Sequence, residues 1–254
     1  MQAIYIADQA GFPPSQTSFA VTDVHLDIQP FSFHEETPFQ AVSLQASEDH
    51  CIQMHATHLP HASFHGLCES LIYDDHLPSR LIRFITRMAK MTAEPQLNPH
   101  LVNFNRLVLL HGSSGTGQTT LCRAIAYKLS IRMRRRFPKL LLLELNTSSM
   151  FTKWFGESPG LVDQAFKTAF DAAADPSNFI CLMIDEIESI AGCREHSLGA
   201  QEVADAARVT SQLLIALDKM RQMPNMLMLC TTNLLSAVVR FSIVITLLPC
   251  ISRD

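Results

Sequence analysis

Three short patterns in this 254-residue chain combine residue types that handle phosphate. The first is Gly112-Ser113-Ser114-Gly115-Thr116-Gly117-Gln118-Thr119, followed by Thr120. It follows the phosphate-loop pattern GxxxxGK[ST] except at the lysine. Its glycines let backbone N–H groups converge on phosphate oxygens, and a helix opening behind them adds its positive end. Thr119 stands where a hydroxyl reaches Mg2+. The second is the apolar run Cys181-Leu182-Met183-Ile184 ending in Asp185-Glu186. There Asp185 would hold Mg2+ and Glu186 would polarise an attacking water. The third, Thr231-Thr232-Asn233, closes another apolar run with an amide suited to a terminal phosphate or its water.

Gln118 is the departure from this chemistry. A lysine there sets a full positive charge against the β- and γ-phosphates. A glutamine donates a hydrogen bond but neutralises nothing. The loss of a charge-assisted contact costs about 1.5–3 kcal/mol, or about 10- to 100-fold in affinity. Turnover suffers more, because phosphoryl transfer depends on electrostatic stabilisation. The sequence therefore predicts weak nucleotide binding and doubtful hydrolysis.

These patterns need particular elements to position them. Apolar runs at Leu107–Leu110, Leu140–Leu145, Phe179–Ile184 and Met226–Cys230 lack alternation, as strands covered on both faces do. Helical spacing falls between them, at Thr119–Leu129, Pro159–Ala174 and Glu202–Met220. This order predicts an α/β fold: a parallel P-loop sheet with flanking helices and right-handed crossovers. The first hundred residues differ in texture, being rich in His, Pro, Ser and Thr. Val24, Leu26 and Ile28 alternate as on a half-buried strand. Ser79 is expected to cap a helix to about Lys90, with Leu81, Ile82, Phe84, Ile85 and Met88 on its apolar face. The predicted organisation is a small α+β N-terminal domain over 1–75, a linker and helix over 76–104, the nucleotide core over 105–238, and a divergent tail over 239–254. Within that tail, Ser242–Leu248 is a candidate fifth strand.

Composition narrows the function classes. Apolar residues make up 47% and charged residues 17%, which suits a large buried core. The net charge of −4 gives no basic field for nucleic acid. The run Arg132, Arg134, Arg135, Arg136 reads as a solvated turn; its nucleic-acid alternative predicts steeply salt-dependent affinity. The apolar stretch Leu234–Ile251 is broken by Arg240 and Pro249, so no membrane span is expected. Seven cysteines without a CxxC pair, and no basic-then-apolar leader after Met1, suggest reduced thiols in the nucleus or cytoplasm.

Two further clusters have a chemical and a plain reading. His55, His58, His61 and His65, near Cys51 and Cys68, have metal-like spacing but no paired cysteine unit, and read as ordinary histidines. Lys153, Trp154 and Phe155 stand in a glycine-containing stretch ahead of a helix. Such aromatics either staple the helix to the core or grip a polypeptide.

Taken together, the residues resemble the pachytene checkpoint protein 2 family, also called thyroid receptor-interacting protein 13, which are AAA+ ATPases. The segments carrying the likeness are Phe64-His65-Gly66-Leu67, Ser70-Leu71-Ile72-Tyr73-Asp74, Asn105 to Gly112, Lys153-Trp154-Phe155 with Glu157-Ser158, Asp185 to Ser189, and Asp205-Ala206-Ala207-Arg208-Val209. The resemblance implies ATP and Mg2+ as cofactors, Asn233 as a sensor of the terminal phosphate, and Lys153, Trp154 and Phe155 as a substrate pore loop. Ala191 to Gly199 would lie near a second one. It implies an ATP-driven remodeller of HORMA-domain proteins in meiosis, met through an adaptor by the N-terminal domain, working in the nucleus as a homo-hexamer. The chain is expected to lack the family's C-terminal helical lid, since 239–254 does not resemble the family's sequence beyond the core. The alternative to a remodeller is a non-hydrolysing pseudo-ATPase, acting as an adaptor or a dominant-negative subunit.

Overall fold

The apolar runs form strands, and each extends one or two residues beyond the runs at one or both ends. The structure, a computed structural model, describes residues 30–34, 40–47, 50–73, 77–91, 106–146, 158–191, 200–220, 222–234 and 246–250. In chain order the elements are β1 (Gln40–Ser47), β2 (His50–Leu59), α1 (Leu67–Ser70), α2 (Leu77–Met91), β3 (Leu107–Gly112), α3 (Gln118–Arg132), β4 (Lys139–Asn146) and α4 (Ser158–Ala173). They continue with β5 (Asn178–Asp185), α5 (Glu188–Ala191), α6 (Ala200–Met220), β6 (Met226–Thr232) and β7 (Thr246–Cys250).

The strands make one seven-stranded sheet in the order β1-β2-β4-β5-β6-β3-β7. From β4 to β7 every pairing is parallel. The hairpin of β1 and β2 joins antiparallel, with His58 opposite Leu141. The connection after β3 runs to β4 on one side, and the connection after β6 runs to β7 on the other. Such a reversal opens a crevice at the carboxyl ends of the strands, where ligands bind in open α/β sheets. The edge strand beside β3 is Thr246–Cys250, set slightly later than the candidate Ser242–Leu248.

Side chains two apart share a face of a sheet, and the core divides accordingly. Leu107, Leu109, Leu143, Ile184 and Met228 pack with Val162 and Phe166 of α4 and Leu213 and Leu217 of α6. Val108, Leu110, Leu142, Met183 and Leu229 pack with Leu121 and Ile125 of α3 and Leu81 and Ile85 of α2. This double coverage explains the missing alternation in the sequence.

Two details of α2 correct the sequence expectation. The helix begins at Leu77, so Ser79 lies inside its first turn rather than capping it. Pro78 is compatible with that, since a first-turn N–H has no acceptor in the helix anyway. Phe84 is 47% exposed, while Leu81, Ile82, Ile85 and Met88 are buried. Phe84 sits at the margin of a stripe that those four already fill.

Buried polar groups fix the lower end of the sheet. Asn225 donates through Nδ2 to the carbonyls of Ala173 at 2.8 Å and Asn178 at 2.9 Å, tying the start of β6 to α4 and β5. Arg106 is buried and donates through Nη1 to the Met220 carbonyl at 3.0 Å, which caps the end of α6. Burial holds the Arg106 guanidinium below its ordinary pKa.

Outside the core, Arg135 and Arg136 are exposed in the turn after α3, with Arg136 over the ring of Phe137. Two histidines of the His-rich segment have side-chain partners. His61 Nδ1 accepts from the Ser63 amide at 3.1 Å, and His65 Nδ1 bonds the Tyr127 hydroxyl at 3.1 Å. Among the described residues no cluster of three His, Cys, Asp or Glu could hold a metal, and no helix is long and apolar enough to cross a membrane. Val24, Leu26 and Ile28 lie outside the described residues.

Candidate functional site

The loop after β3 turns into α3 through two glycines in the left-handed region, Gly115 at φ +85° and Gly117 at +78°. That conformation costs a side-chain-bearing residue about 1–2 kcal/mol. Within the loop the Thr116 hydroxyl donates to the Ser113 carbonyl at 2.9 Å. Gly117 caps α3 without a side-chain bond, so the opening N–H groups of Gln118, Thr119 and Thr120 have no acceptor within the helix. Three converging amides and the helix dipole make an anion seat.

Leu71 and Tyr73 lean on this loop. A Cβ on Gly117 would stand 3.0 Å from Leu71 Cδ2, and the Tyr73 hydroxyl donates to the Thr116 carbonyl at 3.4 Å. The same segment is fixed to α3 by the His65–Tyr127 bond and by the Lys128–Glu69 ion pair.

Thr119 and Asp185 meet directly. The Thr119 hydroxyl lies 3.0 Å from Asp185 Oδ1 and 3.1 Å from Oδ2. A hydroxyl and a carboxylate beside an anion seat are the oxygen donors Mg2+ takes when it also binds phosphate. The residues present therefore fit a nucleotide with its magnesium ion.

The chain then turns sharply. Glu186 has φ +54° and is not a glycine, a strain of about 1–3 kcal/mol that the surroundings must hold. They do so through Thr231, whose hydroxyl accepts from the Glu186 N–H at 2.9 Å and donates to Asp185 Oδ1. The Ile187 N–H donates to the Thr231 carbonyl at 3.0 Å. Two residues on, Glu188 Oε1 accepts from the Asn233 N–H at 2.9 Å. Asn233 and Glu186 are both exposed at this edge. The structure thus brings Gly112 to Thr120, Asp185, Glu186 and Asn233 to one end of the sheet.

Gln118 turns to the strand beside the loop. It is 7% exposed, and its amide nitrogen lies 3.5 Å from the Thr232 carbonyl, a long bond toward β6. Arg123, one turn further along α3, does not replace the missing charge. It grips Glu144 with Nε to Oε1 at 3.1 Å and Nη2 to Oε2 at 2.8 Å. This bond raises its pKa, with burial opposing.

Sequence reasoning gave no role to Thr231 or Glu188 and missed the Arg123–Glu144 pair. Thr231 had an available signal. It continues the parity of Leu227 and Leu229, as Asp185 continues that of Cys181 and Met183, and all four apolar residues face α3. Lys153, Trp154 and Phe155 lie outside the described residues, as do residues 192–199 beyond Ala191.

Residues 108–245 match the family model "ATPase family associated with various cellular activities (AAA)". The chain is 42% identical over 180 residues to the pachytene checkpoint protein 2 homolog of Arabidopsis thaliana, covering 71% of this chain and 38% of that one. It is 36% identical over 213 residues to the putative pachytene checkpoint protein 2 of Caenorhabditis elegans, covering 84% and 50%. The solved structure of C. elegans PCH-2 superposes with a TM-score of 0.68 at 31% identity, over 86% of this chain and 52% of that one. A chain from the E. coli MS115-1 HORMA:CdnC:Trip13 complex shares the fold, with a TM-score of 0.62 at 19% identity, over 78% and 69%. The chain spans half or less of the length of the Arabidopsis and Caenorhabditis relatives.

Proposed function

Because this chain belongs to the AAA family of ATPases, we propose that it binds ATP with Mg2+ and serves in ATP-driven remodelling of HORMA-domain proteins. The observation that carries the nucleotide part is the meeting of Thr119 with Asp185 beside the glycine-rich loop. Bound ATP would supply a transferable phosphoryl group. The amides opening α3 would hold its phosphates, and Thr119 and Asp185 would hold the magnesium ion. Glu186 would orient and deprotonate a water, and Asn233 would hold that water or the terminal phosphate in line.

The partner rests on likeness. Curated relatives bear the name pachytene checkpoint protein 2, and a protein of the same fold was solved with a HORMA partner. On the resemblance read from the sequence alone, the proposal extends to Lys153, Trp154 and Phe155 as a polypeptide-gripping loop, a hexameric assembly, an adaptor, and a meiotic role in the nucleus. Imaging the tagged chain in meiotic cells tests the location.

Gln118 favours a second reading, a subunit that binds nucleotide and does not turn it over. Its amide is directed to the Thr232 carbonyl, and it carries no charge for the phosphates. The two readings separate on one comparison. Gln118→Lys is expected to tighten ATP binding about 10- to 100-fold, the reciprocal of the lost charge-assisted contact. Turnover in the unmodified chain supports the remodeller. Turnover only in Gln118→Lys supports the non-hydrolysing subunit. No ATP binding in either chain refutes both.

A further inference from the structure

We infer that Thr231 is a positioning residue, one that fixes the metal-holding Asp185 and the water-orienting Glu186 relative to each other; the inference rests on the proposed nucleotide site. A threonine hydroxyl has one proton to donate and two lone pairs that accept. In this site the proton goes to Asp185 Oδ1, and a lone pair takes the N–H of Glu186 at 2.9 Å. One oxygen atom therefore touches both acidic residues.

Three features make this oxygen a rigid reference. Thr231 is 2% exposed, so water does not compete for its bonds. Its own backbone is held in β6, and its carbonyl takes the Ile187 N–H at 3.0 Å, so hydroxyl and carbonyl grip consecutive residues of the turn. Branching at Cβ restricts the side chain to few rotamers, so little freedom is lost in holding the hydroxyl.

The other hydroxyl on Asp185 cannot do the same work. Thr119 is itself a candidate metal holder and stands on α3, whereas the Thr231 hydroxyl is also bonded to the Glu186 N–H. Thr231 is thus the hydroxyl that ties the carboxylate to the turn that follows it. Outer groups of this kind typically govern about 10- to 100-fold in metal affinity. The turn at Glu186 adds a second demand. Its positive φ persists only if neighbouring bonds hold it, and the Thr231 hydroxyl makes one of them.

The test measures nucleotide binding with and without Mg2+, using a fluorescent ATP analogue on the whole chain, in the unmodified and Gln118→Lys backgrounds. Thr231→Val keeps the side-chain shape and removes the hydroxyl. It is expected to lower the Mg2+-dependent gain in affinity by about 10-fold or more, while affinity in EDTA stays within about two-fold of the parent. Thr231→Ser, which restores the hydroxyl, is expected to recover most of the gain. A Mg2+ gain unchanged in Thr231→Val overturns the inference. So does an equal fall in both affinities, since that marks a merely structural residue. If circular dichroism shows that the valine variant does not fold, Thr231→Ala carries the same comparison without a methyl against Asp185. Absence of nucleotide binding in both backgrounds overturns the nucleotide reading and this inference with it.

Discussion

Backbone conformation separates the loop glycines from one another. Gly115 and Gly117 share a left-handed φ, yet a Cβ on Gly115 meets nothing within 4 Å while one on Gly117 meets Leu71 at 3.0 Å. Both alanine variants bear the conformational penalty of about 1–2 kcal/mol. Gly117→Ala must also displace Leu71 by a few tenths of an ångström. Urea denaturation is expected to show Gly117→Ala as the less stable of the two. Equal losses would mean that Leu71 moves aside freely and does not brace the loop. The glycines were legible as a phosphate loop in the sequence. The distinction between them was not, because Leu71 lies far upstream and reaches Gly117 only in the fold.

Among the elements, β6 pairs with β3 and β5 and ends at Thr232, just before Asn233. Its lower end is set by Asn225 and by Arg106, whose carbonyl accepts from Met228 at 2.8 Å and whose guanidinium caps α6. Truncating Arg106 leaves the Met220 carbonyl without this donor in a buried setting. Arg106→Ala is expected to cost about 2–3 kcal/mol, in the range for hydrogen bonds to charged groups. Arg106→Met is expected to cost less, because it refills the apolar volume and removes the desolvated charge. Thermal denaturation of both variants checks the order. A methionine variant as unstable as alanine would show that the cap, and not packing, dominates. Arg106 was visible as the residue ahead of a strand. Its partner lies at the end of a helix over a hundred positions later, and no local pattern announces that.

For the whole molecule, the two-faced core makes a prediction about its thiols. Cys122, Cys181 and Cys230 are buried, and burial pushes the Cys181 and Cys230 thiols well above their ordinary range. Thiolate is the reactive form, so both its scarcity and its inaccessibility protect these residues. Mass spectrometry after maleimide treatment at pH 8 is expected to find these three unlabelled in the folded chain and labelled after denaturation. Labelling in the folded chain would mean that the sheet opens on the timescale of the reaction. Cys68, half-buried near Lys128, is expected to react ahead of them, and more slowly than a free thiol because burial raises its pKa. The β1–β2 hairpin belongs to this scale as well. It arises from the His-rich part of the chain and yet continues the core sheet through β4.

The sequence by itself determined the local chemistry: glycines where the loop must turn, apolar runs where strands are covered on both faces, and acids where a strand ends. Those follow from backbone freedom and the period of two, which act over a few residues. Tertiary structure decided how the pieces meet. The face that carries α3, and with it the meeting of Thr231, Asp185 and Thr119, depends on strand order and crossover direction. The turn of Gln118 toward Thr232 depends on β6 lying beside β3. Such relations join residues some fifty to over a hundred positions apart, and hydrogen bonds across that separation leave no periodicity along the chain.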